Sequence, residues 1–462
     1  MKVCLINPCS EIPDGRPGIP LAFMYLVRYL EKAGHEVSTY DYLKDDWDKC
    51  KPKIIKELVH ETPDVVGVQC MTYNRTAAVK LAKLVKELLP DCKVVFGGVH
   101  ATIMPEQLLR NFEEIDFVVV GEGEITFPEL IANFDNPENV KGIAFMKGKE
   151  FVKTEPRPLI ENLDTLPIPK WEIFKEEYKR LNRVMIYSSR GCIFHCTFCS
   201  TAHFWKNKWR ARSPKHVVDE IEAAQKIFPG CVIDFCDDCF SRDNNRVKEI
   251  CAEIKRRNLK FIWYCETRID MLTEELVKIM YDAGCRRASI GIESGSQKMM
   301  DSLHKGYNVE KVLKNIKMCH RLGIKTSTLL MTGIPGETRE DIEKTKKFLT
   351  EMKKDNPYFN NQLEEVAVLW LFPGTPLYEK AKIDKFITDD YWLTEKKAPF
   401  YTYEWSYDVL RSRASEIVLH HHKLYGWPAF IWYVFKGAVN HPIKFVKFVI
   451  GRNYWKVMFR KK

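Results

Sequence analysis

The chain lacks an apolar run long enough to cross a membrane. Residues 427–435 form a stretch of nine consecutive apolar residues, whereas a membrane-spanning helix needs about 20. We also expect no secretory leader, because Met1 is followed at once by the strand-like K-V-C-L-I-N-P. The net charge of +10 is small for 462 residues and lies partly in the last forty, so it gives little support to nucleic-acid binding. These absences argue against transmembrane, secreted and nucleic-acid-binding classes.

Cysteine, by contrast, is plentiful. Fifteen cysteines in a chain without a leader indicate a reducing compartment and metal or redox chemistry, not a disulfide framework. We therefore expect a cytoplasmic protein. With 45% apolar and 29% charged residues the composition is that of a globular protein, and its length implies two or three domains.

Three of these cysteines form a spaced motif in S-S-R-G-C-I-F-H-C-T-F-C-S, namely Cys192, Cys196 and Cys199. A C-x3-C-x2-C loop offers three thiolates to a four-iron cubane. Cysteine-only ferredoxin sites use four thiolates, so one iron would stay open for another ligand. The alternatives are three unrelated buried thiols or a structural zinc site, although zinc prefers four ligands in paired spacing and His195 is poorly placed as a fourth.

This loop strongly resembles that of the radical S-adenosylmethionine (SAM) superfamily. The resemblance implies that Cys192, Cys196 and Cys199 hold a 4Fe–4S cluster and that the amino and carboxylate groups of SAM take the open iron. An electron from the cluster then breaks an S–C bond of SAM and yields a 5′-deoxyadenosyl radical. Phe198, just before the last cysteine, belongs to the same resemblance and is expected next to SAM.

Residues 1–130 alternate short apolar runs with helical stretches. This pattern predicts a doubly wound parallel sheet with helices on both faces, and ligands of such sheets lie beyond the carboxyl ends of the strands. The predicted strands are 3–6, 36–40, 65–69, 93–96 and 117–120, and the predicted helices are 21–33, 52–62, 77–89 and 105–111. The loops at the ligand-binding edge are 7–20, 70–75, 97–102 and 121–124.

Three successive segments look like the cobalamin-binding, Rossmann-like domain fused to many radical SAM enzymes. They are N-P…G-I-P-L-A-F-M-Y-L…G-H-E-V, G-G-V-H-A-T-I-M-P-E and V-V-G-E-G-E-I-T-F. The D-x-H-x-x-G motif, whose histidine ligates cobalt in many other cobalamin proteins, is absent, so we expect no histidine on cobalt. Loop 70–74 is expected under the lower face of cobalamin, with Cys70 or Met71 as core residues the alternative. The cobalamin contacts implied are Met71, Thr72, Tyr73, Gly97, Gly98, His100, Gly121, Glu122 and Gly123.

Residues 131–183 are turn-rich and predict a linker, with a short hairpin in 140–153. From residue 184 to 375 a second series of strands and helices follows, and its six units match the partial (β/α)6 TIM barrel of radical SAM enzymes. The predicted strands are 184–188, 231–235, 261–265, 287–292, 325–331 and 365–371. The predicted helices are 215–227, 245–257, 274–283, 309–322 and 339–352.

Barrel chemistry belongs at the carboxyl ends of the strands, and the resemblance places SAM contacts there. One carboxylate of the pair Asp237 and Asp238, with Asp237 as our choice, would meet the ammonium group of SAM, and helix capping is the alternative for either residue. Arg268 would pair with the SAM carboxylate, with a structural ion pair as the alternative. Glu293 and Ser294 would contact the ribose and methionine parts. Gly333 would shape a loop against adenine, while Glu337 either joins it or begins the next helix.

Residues 376–462 are predicted to be mainly helical and to cap the barrel. The aromatic residues at 391–392 and 399–405 are candidates for a substrate pocket or for plain core packing. The tail from 425 combines aromatic residues with lysine and arginine, which suits an interfacial helix on anionic lipid. A basic helical hairpin packed on the barrel is the alternative, so membrane association stays open.

The resemblance implies a cobalamin-dependent radical SAM methyltransferase that acts on an unactivated carbon of a protein or peptide side chain, a lipid or a natural product. Cob(I)alamin would take a methyl group from one SAM, and the adenosyl radical from a second SAM would abstract a substrate hydrogen. The substrate radical would then capture the methyl group. An electron donor such as ferredoxin or flavodoxin is implied. The alternatives are a non-methylating cyclase or ring-rearranging enzyme and, outside enzymes, a cobalamin or iron–sulfur sensor.

Overall fold

The computed structural model describes residues 1–10, 19–363, 366–396, 399–400 and 405–426. Its N-terminal part is a seven-stranded sheet in the order β2-β1-β3-β4-β5-β6-β7. The first five strands are parallel, which is the doubly wound arrangement predicted, and β6 and β7 are antiparallel. The strands are β1 (Lys2–Asn7), β2 (Glu36–Asp41), β3 (Val65–Gln69), β4 (Lys93–Gly97), β5 (Phe117–Val119), β6 (Ile143–Lys147) and β7 (Glu150–Lys153).

Six helices connect and cover this sheet. They are α1 (Leu21–Lys32), α2 (Trp47–Glu61), α3 (Arg75–Leu88), α4 (Val99–Ile103), α5 (Pro105–Asn111) and α6 (Gly123–Ala132). Helix α2 begins five residues before the predicted start at Pro52 because the Asp46 side chain caps it by accepting a hydrogen bond from the Lys49 amide. Helices α4 and α6 begin inside segments that we predicted as loops.

The predicted hairpin in 140–153 is present as β6 and β7, and it pairs with β5. The N-terminal sheet therefore extends to Lys153, beyond the boundary that we predicted at residue 130. A linker with the short helix α7 (Lys175–Leu181) follows. The domain boundaries at 183 and 375 stay predictions.

The second sheet is parallel and follows the order β15-β14-β13-β12-β11-β8, with β16 also paired to β14. Among the described residues this path does not close into a ring, which is the partial barrel expected, and the fold-class prediction is confirmed. The strands are β8 (Arg183–Ile186), β11 (Val232–Phe235), β12 (Trp263–Thr267), β13 (Cys285–Glu293), β14 (Lys325–Thr332), β15 (Asn361–Gln362) and β16 (Val366–Val368). A separate two-stranded ribbon joins β9 (Ser189–Arg190) to β10 (Arg210–Ala211).

The helices of this part are α8 (Thr201–Phe204), α9 (Pro214–Ile227), α10 (Asn244–Arg256), α11 (Glu274–Asp282), α12 (Gln297–Ser302), α13 (Val309–Arg321), α14 (Arg339–Lys353), α15 (Pro376–Ile383) and α16 (Tyr407–Leu424). Several begin at a side chain that caps the first turn: Ser213, Asp243, Thr273, Asn308, Thr338, Thr375 and Ser406. Glu337 therefore stands just before a helix that Thr338 caps.

The segment after α15 is fastened to the N-terminal domain by Arg75, whose side chain is buried. Its guanidinium group donates to the carbonyl oxygens of Trp392 at 3.2 Å and Thr394 at 2.8 Å and lies 5.1 Å from the Trp392 ring centre. Trp392 also donates its indole N–H to the Tyr378 hydroxyl at 2.8 Å. For Trp392 the core-packing alternative is thus the correct one; residues 401–404 of the second aromatic stretch and 427–462 of the tail lie outside the described residues.

Within the described part of the chain, no helix is both long and apolar enough to span a bilayer.

Candidate active site

A cavity of about 780 Å³ separates the carboxyl ends of the N-terminal strands from the second domain. Leu5, Val95, Val119 and Phe127 give it an apolar wall on the N-terminal side. The second domain contributes Tyr187, Ser189, Arg190, Ser200, Thr201, Phe204, Trp205 and Asp238. One cavity is therefore walled by both predicted cofactor domains.

Glycines give the N-terminal side of this cavity its shape. A side-chain carbon added at Gly97 or Gly121 would meet no atom within 4 Å, so the main chain is open to the cavity there. Gly98 has a φ of +100°, and a side-chain carbon on it would lie 2.8 Å from the Cys70 carbonyl oxygen. A bare main chain facing a wide, mainly apolar cavity fits a large flat ring such as the corrin of cobalamin.

Seven of the nine predicted cobalamin contacts line this cavity: Met71, Tyr73, Gly97, Gly98, Gly121, Glu122 and Gly123. Burial raises the pKa of Tyr73 to about 12, so its phenol stays protonated at neutral pH. Gly123 is the first residue of α6, and Gly97 ends β4. The predicted loops thus become strand ends and helix starts around the cavity.

Thr72 and His100 do not line the cavity, and their contact with cobalamin stays a prediction. The Thr72 hydroxyl is 3.2 Å from His100 Nδ1, and the His100 ring meets Trp392 edge-on at 5.7 Å. Burial, with the charge of Arg75, lowers the pKa of His100 to about 3. The pair belongs to the contact with the C-terminal segment, which the sequence could not reveal.

The three motif cysteines lie on the loop between β9 and β10. Burial raises the pKa of the Cys192 and Cys196 thiols, and the charges of Lys305 and Arg268 oppose this rise at Cys196. His195 is exposed on the same loop. Within the described ranges, no three His, Cys, Asp or Glu side chains form a group that could hold a metal ion. Three thiols on one loop, with cations beside them, fit an anionic cluster in which each thiolate binds a different iron.

Lys305 was missed in the sequence, although it follows G-I-E-S by only a short helix. Its ammonium group lies 3.0 Å from Glu293 Oε1 and 6.0 Å from the Phe198 ring centre. Glu293 has a φ of +72° at a register shift between β13 and β14, and Gly291 leaves the room that this ion pair occupies. Glu293, Lys305 and Phe198 are thereby gathered near Cys196.

Arg268 reaches the same region from the end of β12. It forms a fork onto Asp270 at 3.1 and 3.0 Å and lies 3.7 Å from the ring centre of Phe194 in the cysteine loop. Its other ring neighbour is Tyr307 at 4.5 Å. Arg268 thus forms the ion pair that was its alternative role, and it also faces the cysteine loop.

Asp237 does not line the cavity, because its carboxylate is engaged inside the protein, and its contact with SAM stays a prediction. It accepts hydrogen bonds from the amides of Ser188 at 2.6 Å and Ser189 at 3.0 Å, and from the Ser188 hydroxyl. Its neighbour Asp238 lines the cavity, where it accepts from the Gly191 amide at 2.8 Å. Asp238 is therefore the better candidate for a SAM contact.

Ser294, Gly333 and Glu337 hold their own loops in place. The Ser294 hydroxyl is 3.2 Å from that of Thr345. Glu337 accepts from the Thr332 hydroxyl at 2.6 Å and the Gly333 amide at 2.8 Å, and burial raises the pKa of Glu337. Gly333 has a φ of +84° and lies next to Leu410 of α16. Direct contact of these residues with SAM stays a prediction.

Comparison with known proteins agrees with this division. The B12 binding domain family matches residues 15–131, and the Radical SAM superfamily matches residues 186–349. An uncharacterised methyltransferase of Pyrococcus horikoshii is 31% identical over 403 residues, which cover 85% of this chain and 85% of that protein. An anaerobic magnesium-protoporphyrin IX monomethyl ester cyclase of Rubrivivax gelatinosus is 32% identical over 414 residues, covering 85% of this chain and 72% of that one.

Among solved structures, the cobalamin-dependent S-adenosylmethionine radical enzyme OxsB with aqua-cobalamin and S-adenosylmethionine bound matches with a TM-score of 0.69 at 21% identity. The match covers 83% of this chain and 61% of that one, and it shows a shared fold. Because both cofactor domains match in order and two relatives above 30% identity span most of its length, the chain belongs to the cobalamin-dependent radical SAM methyltransferase family, enzymes that use a 4Fe–4S cluster, SAM and cobalamin.

Proposed function

We propose that the chain transfers a methyl group from SAM to an unactivated carbon of an organic substrate. The observation that carries this proposal is the single cavity lined by the glycine loops of the N-terminal sheet and by Ser200, Thr201, Phe204 and Trp205, which follow the last motif cysteine. A methyl carrier and a radical generator must both reach one substrate atom. A shared cavity meets that requirement.

When bound, cobalamin supplies a cobalt that carries the methyl group, and the reduced cluster supplies the electron that cleaves SAM. The chain's own residues position and shield these groups. Gly97, Gly98 and Gly121 let the main chain approach a flat ring closely, while Phe204 and Trp205 make part of the opposite wall apolar and exclude water.

Charged side chains near the cysteine loop would orient SAM. We assign Asp238 to its ammonium group, because this carboxylate faces the cavity and Asp237 does not. Arg268 lies against Phe194 of the cysteine loop and Lys305 pairs with Glu293 nearby, so cations are at hand for the SAM carboxylate and for an anionic cluster.

The substrate class stays open among a protein or peptide side chain, a lipid and a natural product. A ferredoxin or flavodoxin is the proposed electron donor, and the cytoplasm the proposed location, in keeping with fifteen cysteines that form no disulfide. We further propose that residues 427–462 contact anionic membranes without crossing them. Mass spectrometry of metabolites, lipids and proteins from cells with and without the gene tests the function: a product heavier by one methylene unit supports it.

The second candidate is ring formation without methyl transfer, the activity named for one relative; the relative named as a methyltransferase makes it the less favoured of the two. The two functions differ in product mass. A product that has lost hydrogen and gained no carbon would establish the cyclase and overturn methyl transfer.

A further inference from the structure

Four charged side chains join the cobalamin domain to the cysteine loop. Arg190 donates to Glu122 at 2.6 Å and to Glu124 at 2.5 Å, and Arg210 lies 3.0 Å from Glu122. The exposed fractions of the four side chains are only 4% to 11%. Two acids balance two guanidinium groups, so the buried set carries no net charge, as burial of charged groups requires.

The two arginines hold both ends of the cysteine loop. Arg190 and Arg210 face each other as partners in the β9–β10 ribbon, and the cysteines lie on the loop between them. The Trp205 ring centre is 6.0 Å from one guanidinium carbon and 5.1 Å from the other. At Gly191 a side-chain carbon would collide with the Lys208 carbonyl, so the two ends are tightly apposed. A shift of the two arginines would therefore shift both ends of the cysteine loop.

The two glutamates hold the cobalamin side. Glu122 and Glu124 flank Gly123 at the start of α6, and all three line the cavity. Glu122 also accepts a hydrogen bond from the Ile160 amide at 2.8 Å, which leaves it little freedom. A ring seated on residues 121–123 would fix both carboxylates.

We propose that Glu122, Glu124, Arg190 and Arg210 are positioning residues that couple cobalamin binding to the geometry of the cluster loop. The inference rests on the proposed function for its purpose, since methyl transfer needs both cofactors at a set distance. Coupling between two sites is reciprocal. Filling the cluster site must therefore tighten cobalamin binding by the same factor by which cobalamin stabilises the cluster.

Titration of the full chain with hydroxocobalamin tests this coupling, carried out anaerobically before and after reconstitution with iron and sulfide. In the wild type we expect cluster loading to tighten cobalamin binding at least about fivefold, the lower end of typical coupling. The double variant Glu124→Gln/Arg190→Gln keeps the buried set neutral and should lower the ratio below about twofold. Glu129→Gln is the matched control, because Glu129 lies on the same helix α6 but pairs with Arg157, which is not part of the ribbon. This variant should keep the wild-type ratio.

Equal ratios in the wild type and the double variant would overturn the inference, as would a wild-type ratio of one. If the double variant does not fold, Arg190→Lys replaces it, since lysine keeps the charge but cannot fork onto two carboxylates; an unchanged ratio there is equally contradictory. The measurement is of binding alone, so its outcome is independent of whether a methyl group is transferred.

Discussion

The two adjacent aspartates that follow β11 have different surroundings. Asp237 accepts hydrogen bonds from Ser188 and Ser189 inside the protein, whereas Asp238 is exposed to the cavity. We expect Asp238→Asn to weaken SAM binding about tenfold with little change in melting temperature. Asp237→Asn should lower stability by about 3 kcal/mol, because it breaks buried charged hydrogen bonds.

Calorimetric SAM binding and thermal melts of both variants separate these roles. Unchanged SAM affinity in Asp238→Asn would remove Asp238 from the site.

The motif cysteines are expected to bind one oxygen-labile 4Fe–4S cluster. Changing Cys192, Cys196 or Cys199 to alanine should abolish the cluster and SAM cleavage, because the loop then offers only two thiolates to the cluster. The N-terminal domain should stay folded and keep hydroxocobalamin binding. Iron and sulfide analysis checks this, and four irons retained in the triple variant would refute the assignment.

His100 gives the fold a calculable pH dependence. Its pKa falls from 6.5 to about 3 on folding, so at pH 5.5 the unfolded chain binds a proton that the folded chain does not. The contribution of His100 to the free energy of unfolding is therefore fully present above pH 6.5 and is lost as the pH falls toward 3. Between pH 7 and pH 5.5 the loss is about 1 kcal/mol. In His100→Gln the melting temperature should fall less over that interval, whereas an equal fall in both proteins would contradict the burial of a neutral ring.

Because His100 does not face the cavity, the same variant should leave the spectrum of bound cobalamin unchanged. Axial nitrogen splitting from the protein in the electron paramagnetic resonance signal of Co(II) would contradict a cobalt without a histidine ligand.

At the scale of elements, the end of β4 is where main chain rather than side chain shapes the cavity. Gly97→Val places a branched side chain in open space on a strand that tolerates it. We expect near wild-type melting of the cobalamin-free protein and at least a tenfold loss of hydroxocobalamin affinity. Gly98→Val is the contrast, because its φ of +100° and the nearby Cys70 carbonyl should impair folding itself; full cobalamin affinity in Gly97→Val would place the ring elsewhere.

The strand pattern was the most predictable part of this fold. The run that contains Val65, Val66 and Val68 shows no alternation of apolar and polar residues, which predicts a strand buried on both faces. Because ligands of such sheets lie at the carboxyl ends of the strands, the position of the cavity followed. Helices α4 and α6 were missed because glycines at their starts suggested loops. Short helices carry too few residues for a periodic pattern.

What a side chain faces was less predictable than where it lies. Asp237 and Asp238 follow the same strand, and only the packing of residues 188–191 against them decides which one faces the cavity. His100 sits in a glycine loop that does line the cavity, but Trp392, nearly three hundred residues away in sequence, takes its ring out of the site. Lys305 enters the site through its pair with Glu293, a contact that no local pattern indicates.

At the scale of the whole molecule, the tail is expected to bind anionic membranes. Its basic residues each contribute attraction of about 1 kcal/mol near such a surface, and salt should weaken this. The deletion is best begun at residue 427, because the Tyr425 hydroxyl accepts a hydrogen bond from the Asn361 amide at 2.7 Å and thus belongs to the packed part. Sedimentation with anionic vesicles should be lost without residues 427–462, while cluster and cobalamin binding persist.

Failure of the full-length protein to sediment at low salt would favour the packed-hairpin alternative for the tail.

We expect this enzyme to use two SAM molecules in two different ways, one as a methyl donor and one as the source of a radical. This is tested by incubating the reconstituted protein, a reductant and methyl-deuterated SAM with an extract of cells that lack the gene. We expect a product carrying the deuterated carbon, with S-adenosylhomocysteine and 5′-deoxyadenosine formed in equal amounts. Formation of 5′-deoxyadenosine with neither S-adenosylhomocysteine nor a labelled product would contradict this expectation.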